Sequence, residues 1–110
     1  MNRNKMIVLF SSNLATAVLH RVLEKAAGNS DLIGKYQKEF KTSWEIAKDY
    51  RAKINPIDRT LSQEDREEIR TKTIGRVKSE LKIRIEKGYK NIDLSLVEKE
   101  VDKALNEMIV

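Results

Sequence analysis

No cysteine occurs among the 110 residues, which excludes a disulfide framework, thiol catalysis and thiolate metal sites. A chain without thiols fits a reducing compartment, so a cytoplasmic location is expected. One proline and four glycines leave too few turn formers for an all-β fold. His20 is the only histidine; no catalytic or metal-ligating partner stands at a readable spacing, and it reads as a flank residue of the first helix. There is no glycine-rich phosphate loop, and a lone Gly75 or Gly88 cannot cradle one. No cofactor and no metal are expected. Crossing a bilayer takes about 20 apolar residues, and no segment reads as long and apolar enough, so no membrane partner is expected either. The start imitates a secretory signal, with Arg3 and Lys5 ahead of residues 6–10 and Ala15-Thr16-Ala17 resembling a cleavage site. Ser11-Ser12-Asn13 interrupts the apolar run, however, and cleavage is not expected.

What is present is charge and helical periodicity. Charged residues make up 35% of the chain, above the globular norm of about 25%. A chain of this length forms one domain, residues 1–110, large enough for a core of its own. The densest apolar stretch is 6–27, and from Leu14 onward its apolar residues fall on more than one helical face, as in a helix enclosed by neighbours. Gly28 suits the left-handed position behind it. A second helix follows, capped by Ser30 or Asp31. Its seam of Ile33, Tyr36, Phe40, Ser43, Ala47, Tyr50 and Ile54 alternates spacings of three and four, with Trp44 beside it.

Pro56 stops that helix at Asn55, and residues 55–61 are the longest break and the candidate mobile loop. A third helix opens on Thr60 or Ser62, with Gln63 and Asp65 three residues further on in capping-box positions. Its seam reads Ile74, Val77, Leu81 and Ile85, and Gly75 marks a close helix crossing. The fourth, capped by Asp93 or Ser95, carries Leu94, Val97, Val101, Ala104 and Met108, with Leu105 alongside. The expected fold is an all-α antiparallel four-helix bundle over 5–27, 31–54, 62–87 and 94–108. The alternative is α+β. Leu81, Ile83 and Ile85, then Ile92, Leu94 and Leu96, alternate with polar residues around a turn at 87–91. That pattern would form a β-hairpin over 81–96, with 6–10 as an N-terminal strand.

Three features bear on function. Glu64, Glu67 and Glu68 share a helix face, but carboxylate-bridged bundle metals also need Glu-x-x-His pairs; a favourable helix start accounts for these acids. Residues 53–58 followed by Asp65-Arg66-Glu67 are too little to place the chain with the all-helical chorismate mutases, which need a further arginine upstream where Thr42 stands. Tyr36, Phe40 and Trp44 form an aromatic stripe at helical spacing, suited to core or to a protein interface. Residues 69–90 are strongly basic, and the following stretch carries Asp93, Glu98, Glu100, Asp102 and Glu107, which can neutralise those bases internally. The expectation is a non-catalytic helical module acting by protein–protein contact or homo-oligomerisation through Tyr36, Phe40 and Trp44. The alternative is nucleic-acid backbone binding through Arg70, Arg76, Lys78, Lys82, Arg84 and Lys87. A third reading is an enzyme whose site forms only between subunits.

Overall fold

The computed structural model describes residues 2–55 and 59–108, and among them there are helices and no strands. They are α1 (Arg3–Ala26), α2 (Ser30–Ile54), α3 (Gln63–Glu86) and α4 (Leu96–Glu107). Successive helices run in opposite directions, as short connections require. α1 is the axis: its 24 residues extend about 36 Å at 1.5 Å per residue, nearly the 40 Å length of the molecule. Met6, Ile7, Phe10, Leu14, Ala15, Ala17, Val18, Leu19, Val22 and Leu23 are all buried along it. The other three helices each pack on α1, and α3 and α4 also pack on each other; α2 packs on α1 alone.

The polar interruption at 11–13 does not break α1, because its side chains bond back into the helix. Ser11 Oγ donates to the Ile7 carbonyl at 2.8 Å, Asn13 Nδ2 to Leu9 at 2.8 Å and Thr16 Oγ1 to Ser12 at 3.1 Å. This corrects the expectation that no segment is long and apolar enough to cross a bilayer. With its polar groups satisfied internally, α1 is long enough and holds a mean hydropathy of 1.5 over its best window. In this fold 61% of that window is buried inside the protein.

The helix ends differ in detail from the sequence reading. Asn29, ahead of both expected residues, caps α2, its Oδ1 accepting the Leu32 N–H at 2.8 Å. α1 closes on Ala27 in extended backbone. Left-handed geometry falls at Gly88 (φ 98°), behind α3, and not at Gly28. Ser62 caps α3, accepting from the Asp65 N–H at 3.2 Å. Asp93 Oδ1 accepts from both the N–H and the hydroxyl of Ser95 before α4.

The hairpin alternative is overturned. α3 continues through Ile83 and Ile85 to Glu86, and the Lys87 N–H still bonds the Ile83 and Arg84 carbonyls. Its buried stripe is Ile69, Thr73, Val77 and Leu81, with Ile74 only partly covered. Ile83 and Ile85 are exposed, so the alternating pattern that suggested strands is not one buried face. The N-terminal strand falls with it, since 6–10 lie inside α1. Gly75 is also corrected: a Cβ there would meet nothing within 4 Å, so no helix crosses closely.

Of the expected mobile loop, residues 56–58 lie outside the described residues, as does the proposed stop at Pro56. Its flanks are tied by Arg51. This buried guanidinium donates from Nη1 to Asn55 Oδ1 and from Nη2 to the Arg59 carbonyl, both at 2.6 Å. Asn55 Nδ2 also donates to the Thr60 carbonyl at 3.2 Å. Burial pushes the Arg51 pKa down from its ordinary value, and these acceptors offset the cost of desolvating the charge. A second enclosed charge, Glu100 on α4, meets Lys25 Nζ of α1 at 2.5 Å.

Two outcomes follow. Leu81→Ala should destabilise by about 2–5 kcal/mol in denaturant titration, whereas Ile83→Ala should stay within about 0.5 kcal/mol; equal losses would contradict the helix. At the N-terminal end Arg3 pairs with Asp65. The hydrogen bond from Arg3 holds the Asp65 carboxyl below its ordinary value, helped by Ser62. A depressed folded-state pKa contributes stability above the unfolded value of about 3.9, lost as pH falls through the folded value. Arg3→Ala should therefore cost at most about 1 kcal/mol near neutral pH, the exposed arginine being screened. Matched unfolding curves should show that difference shrinking as pH drops below about 4 and the carboxylate protonates.

Candidate functional site

α2 and α3 both lie on α1 but do not meet each other. The space between them is an open groove floored by α1. On the α3 side a recess of about 240 Å³ is lined by Thr16, Leu19 and His20 of α1 and by Arg76, Glu80 and Arg84 of α3. On the α2 side His20 also borders a second recess, shared with Lys35, Lys38, Glu39 and Thr42. At the end where α1 turns into α2, a third recess is lined by Leu23, Leu32, Tyr36, Tyr89 and Ile92.

His20 fixes α2 against this floor. Its Nδ1–H donates to the Thr16 carbonyl at 2.7 Å, the carbonyl being able only to accept. Nε2 stands 2.6 Å from Glu39 Oε2, an ion pair when the ring carries its second proton. The ring centroid is 6.0 Å from that of Tyr36.

Helical spacing extends the groove. Ile46 follows Glu39 by seven residues and Thr42 by four, so it continues the α2 wall; Ile83 follows Arg76 by seven and continues the α3 wall; Val8 precedes Ala15 by seven and continues the floor. These side chains are 40%, 45% and 49% exposed. Together with Leu32 and Tyr89 they are five of the six exposed large hydrophobics among the described residues. Only Ile85 lies elsewhere. The two acids lining these recesses are already engaged, Glu39 with His20 and Glu80 with Arg84 at 3.2 Å. Lys35, Lys38 and Arg76 make no ion pair with any described residue, so the groove is positive.

The aromatic residues expected at a partner interface sit largely on the opposite side of α2. Tyr36 and Trp44 are half-buried against the core. The half-buried Phe40 stacks on Trp44 with centroids 5.3 Å apart and planes at 27°. The Arg21 guanidinium of α1 covers both rings, 4.2 Å from the Phe40 centroid and 5.4 Å from that of Trp44. Arg21 also reaches Glu107 of α4 at 3.4 Å. Much of the stripe is therefore spent inside the molecule, joining α2 to α1.

The six bases proposed for nucleic acid do not form one patch. Arg70 pairs with Asp102 at 2.7 Å and Lys78 with Glu98 at 3.5 Å, both turned toward α4, and Arg84 pairs with Glu80. The Asp102 carboxylate raises the Arg70 pKa, chiefly by its hydrogen bond. Arg76, Lys82 and Lys87 make no ion pair with a described residue, and of these Arg76 lines the groove. Glu64, Glu67 and Glu68 are exposed, Glu68 lying 3.9 Å from Lys72. Among the described residues no three carboxylate or histidine side chains are gathered as a metal would need.

Reading the sequence missed Val8, Lys35, Lys38, Ile46 and Ile83. The signal available was that Ile46 and Ile83 are large aliphatics lying off the buried seam of their own helices.

Trp44 is the only tryptophan, so its emission reports the Arg21 stack directly. Arg21→Ala should change Trp44 fluorescence and lower stability by about 1 kcal/mol, within the range of a partly desolvated cation–π contact. Unchanged emission would show that the stack does not form in solution. Comparison with protein-family models, curated proteins and solved structures returns no match, so the groove is read from its own chemistry.

Proposed function

We propose that this chain is a non-catalytic helical docking module whose protein partner lies along the groove between α2 and α3. The observation carrying this reading is that Leu32 and Tyr89 line the end recess, while helical spacing carries Val8, Ile46 and Ile83 onto the floor and walls of the same cleft. The cleft thus accounts for five of the six exposed large hydrophobics among the described residues. Exposed apolar side chains scattered singly are ordinary, whereas a contiguous set rimmed by polar groups is how binding surfaces are built. α2 supports the same reading: a helix held by one neighbour leaves a flank of the core helix open for another. The engaged acids Glu39 and Glu80 and the hydrogen-bonded His20 offer positioning and no legible reaction centre. Nucleic-acid backbone binding is supported by the ion-pair-free Arg76, Lys82 and Lys87, but Arg70, Lys78 and Arg84 of that set are committed to carboxylates.

Site-specific photo-crosslinking separates the two. A benzophenone side chain placed at Ile46 or Ile83 in cells expressing the chain should yield discrete protein adducts, to another protein or to a second copy. The same group at the exposed Lys103 of α4 should yield few. Adducts to nucleic acid alone, or equal labelling from all three positions, would overturn the proposal.

A further inference from the structure

The groove's charge identifies the chemistry of what fills it, and this step rests on the docking reading above. We infer that the occupant is an acidic amphipathic helix, laid along α1 between α2 and α3 as a further member of the bundle.

The length fits first. From Val8 to Ala26, the last α1 residue lining the groove, the floor runs about 27 Å at helical rise. A helix of about 18 residues, five turns, covers it. Its apolar needs follow from the floor and walls. One stripe at spacings of three and four would cover Val8, Leu19, Ile46 and Ile83, while a large side chain near one end would meet Leu32 and Tyr89. Helix packing of this kind is the same ridge-and-groove contact by which α2 already holds α1.

The flanks of such a helix would lie against the two walls, and there the bases are unanswered. Lys35 and Lys38 line the α2 side. Arg76 lines the α3 side. Lys87, four residues beyond Ile83 and seven beyond Glu80, continues the α3 wall, and Lys90 lines the end recess. None of these five makes an ion pair with a described residue. Of the wall acids, Glu80 is taken by Arg84, and Glu39 is turned onto His20 of the floor. Asp31 and Asp49 lie on the arc of α2 between Lys35 and Lys38, rotated about 40° from Lys35 and 60° from Ile46, but neither lines any of the three recesses. A helix with glutamates on both flanks answers these bases; one with lysines would meet like charge on both sides. Opposed charge of this kind sets which partner is accepted more than how tightly it is held.

The test uses two designed peptides of about 18 residues, capped at both ends, with leucine at spacings of three and four and either glutamate or lysine on the flanks. Each is titrated into the isotopically labelled full chain and read by chemical-shift perturbation and calorimetry. The glutamate peptide should perturb Val8, Ile46 and Ile83 and bind at least about tenfold more tightly than the lysine peptide at low salt. That preference should collapse toward unity near 1 M salt, where the screening length is about 3 Å. The double reversal Lys35→Glu with Arg76→Glu alters exposed side chains and should keep the helical circular dichroism of the parent while inverting the preference. Equal or tighter binding of the lysine peptide, or a preference untouched by the double reversal, overturns the inference. If neither peptide binds while Ile46 still cross-links a protein, the acidic helix is wrong and the docking surface stands. Failure of both experiments removes both.

Discussion

The enclosure of α1 is the constraint from which the rest follows. A helix apolar on more than one face cannot lie at the edge of a bundle, and burying such a side chain is worth about 1.5–3 kcal/mol each. Three helices are recruited to cover it, and each needs only one apolar stripe because α1 supplies a partner surface to all three. This explains why α3 can be so strongly polar yet remain helical: Ile69, Thr73, Val77 and Leu81 are enough when they meet α1 and α4. It also explains the asymmetry of the molecule. α3 and α4 brace each other, whereas α2 depends on α1 alone. The cleft on one side of α2 is the geometric remainder of wrapping three helices around a fourth.

Polar contacts sort into two groups around that core. Arg70 with Asp102 and Lys78 with Glu98 join α3 to α4, so the basic helix and its acidic neighbour spend much of their charge on one another. These pairs are half-exposed and individually weak; their effect is to remove bases from the outward field. The second group pins α2: His20 with Glu39 on one flank, the Arg21 stack on the other. With contacts on both sides, α2 is held against α1 along both of its flanks.

Much of this architecture was legible in the sequence. The four helices, their approximate limits and the enclosure of α1 follow from three-and-four spacing and from helix stops, since periodicity records which face is buried. Of the α2 seam, Ser43, Ala47 and Ile54 are buried and Tyr36 and Tyr50 pack against the core, while Ile33 and Phe40 are only half-buried. Where the reading failed, the cause was tertiary. Ile85 looks like the next member of the α3 stripe and is exposed, because the true stripe advances by strict fours from Ile69 through the polar Thr73. Arg51 and Glu100 are buried although their residue types are mostly found in water; only the folded neighbourhood supplies Asn55, Arg59 and Lys25 as partners. The groove was illegible for a related reason. It is defined by two helices failing to touch, and a sequence pattern records the stripe each helix buries, not the distance between their walls.

Arg51 has a consequence for how the chain tolerates change. Its guanidinium grips Asn55 on one side of residues 56–58 and the Arg59 carbonyl on the other, so both flanks of that stretch are held from within α2. Extra length inserted between those two grips costs only slowly growing closure entropy. The connection is thus a natural graft point, where a tag or a second domain could be spliced while the helices keep their mutual registry.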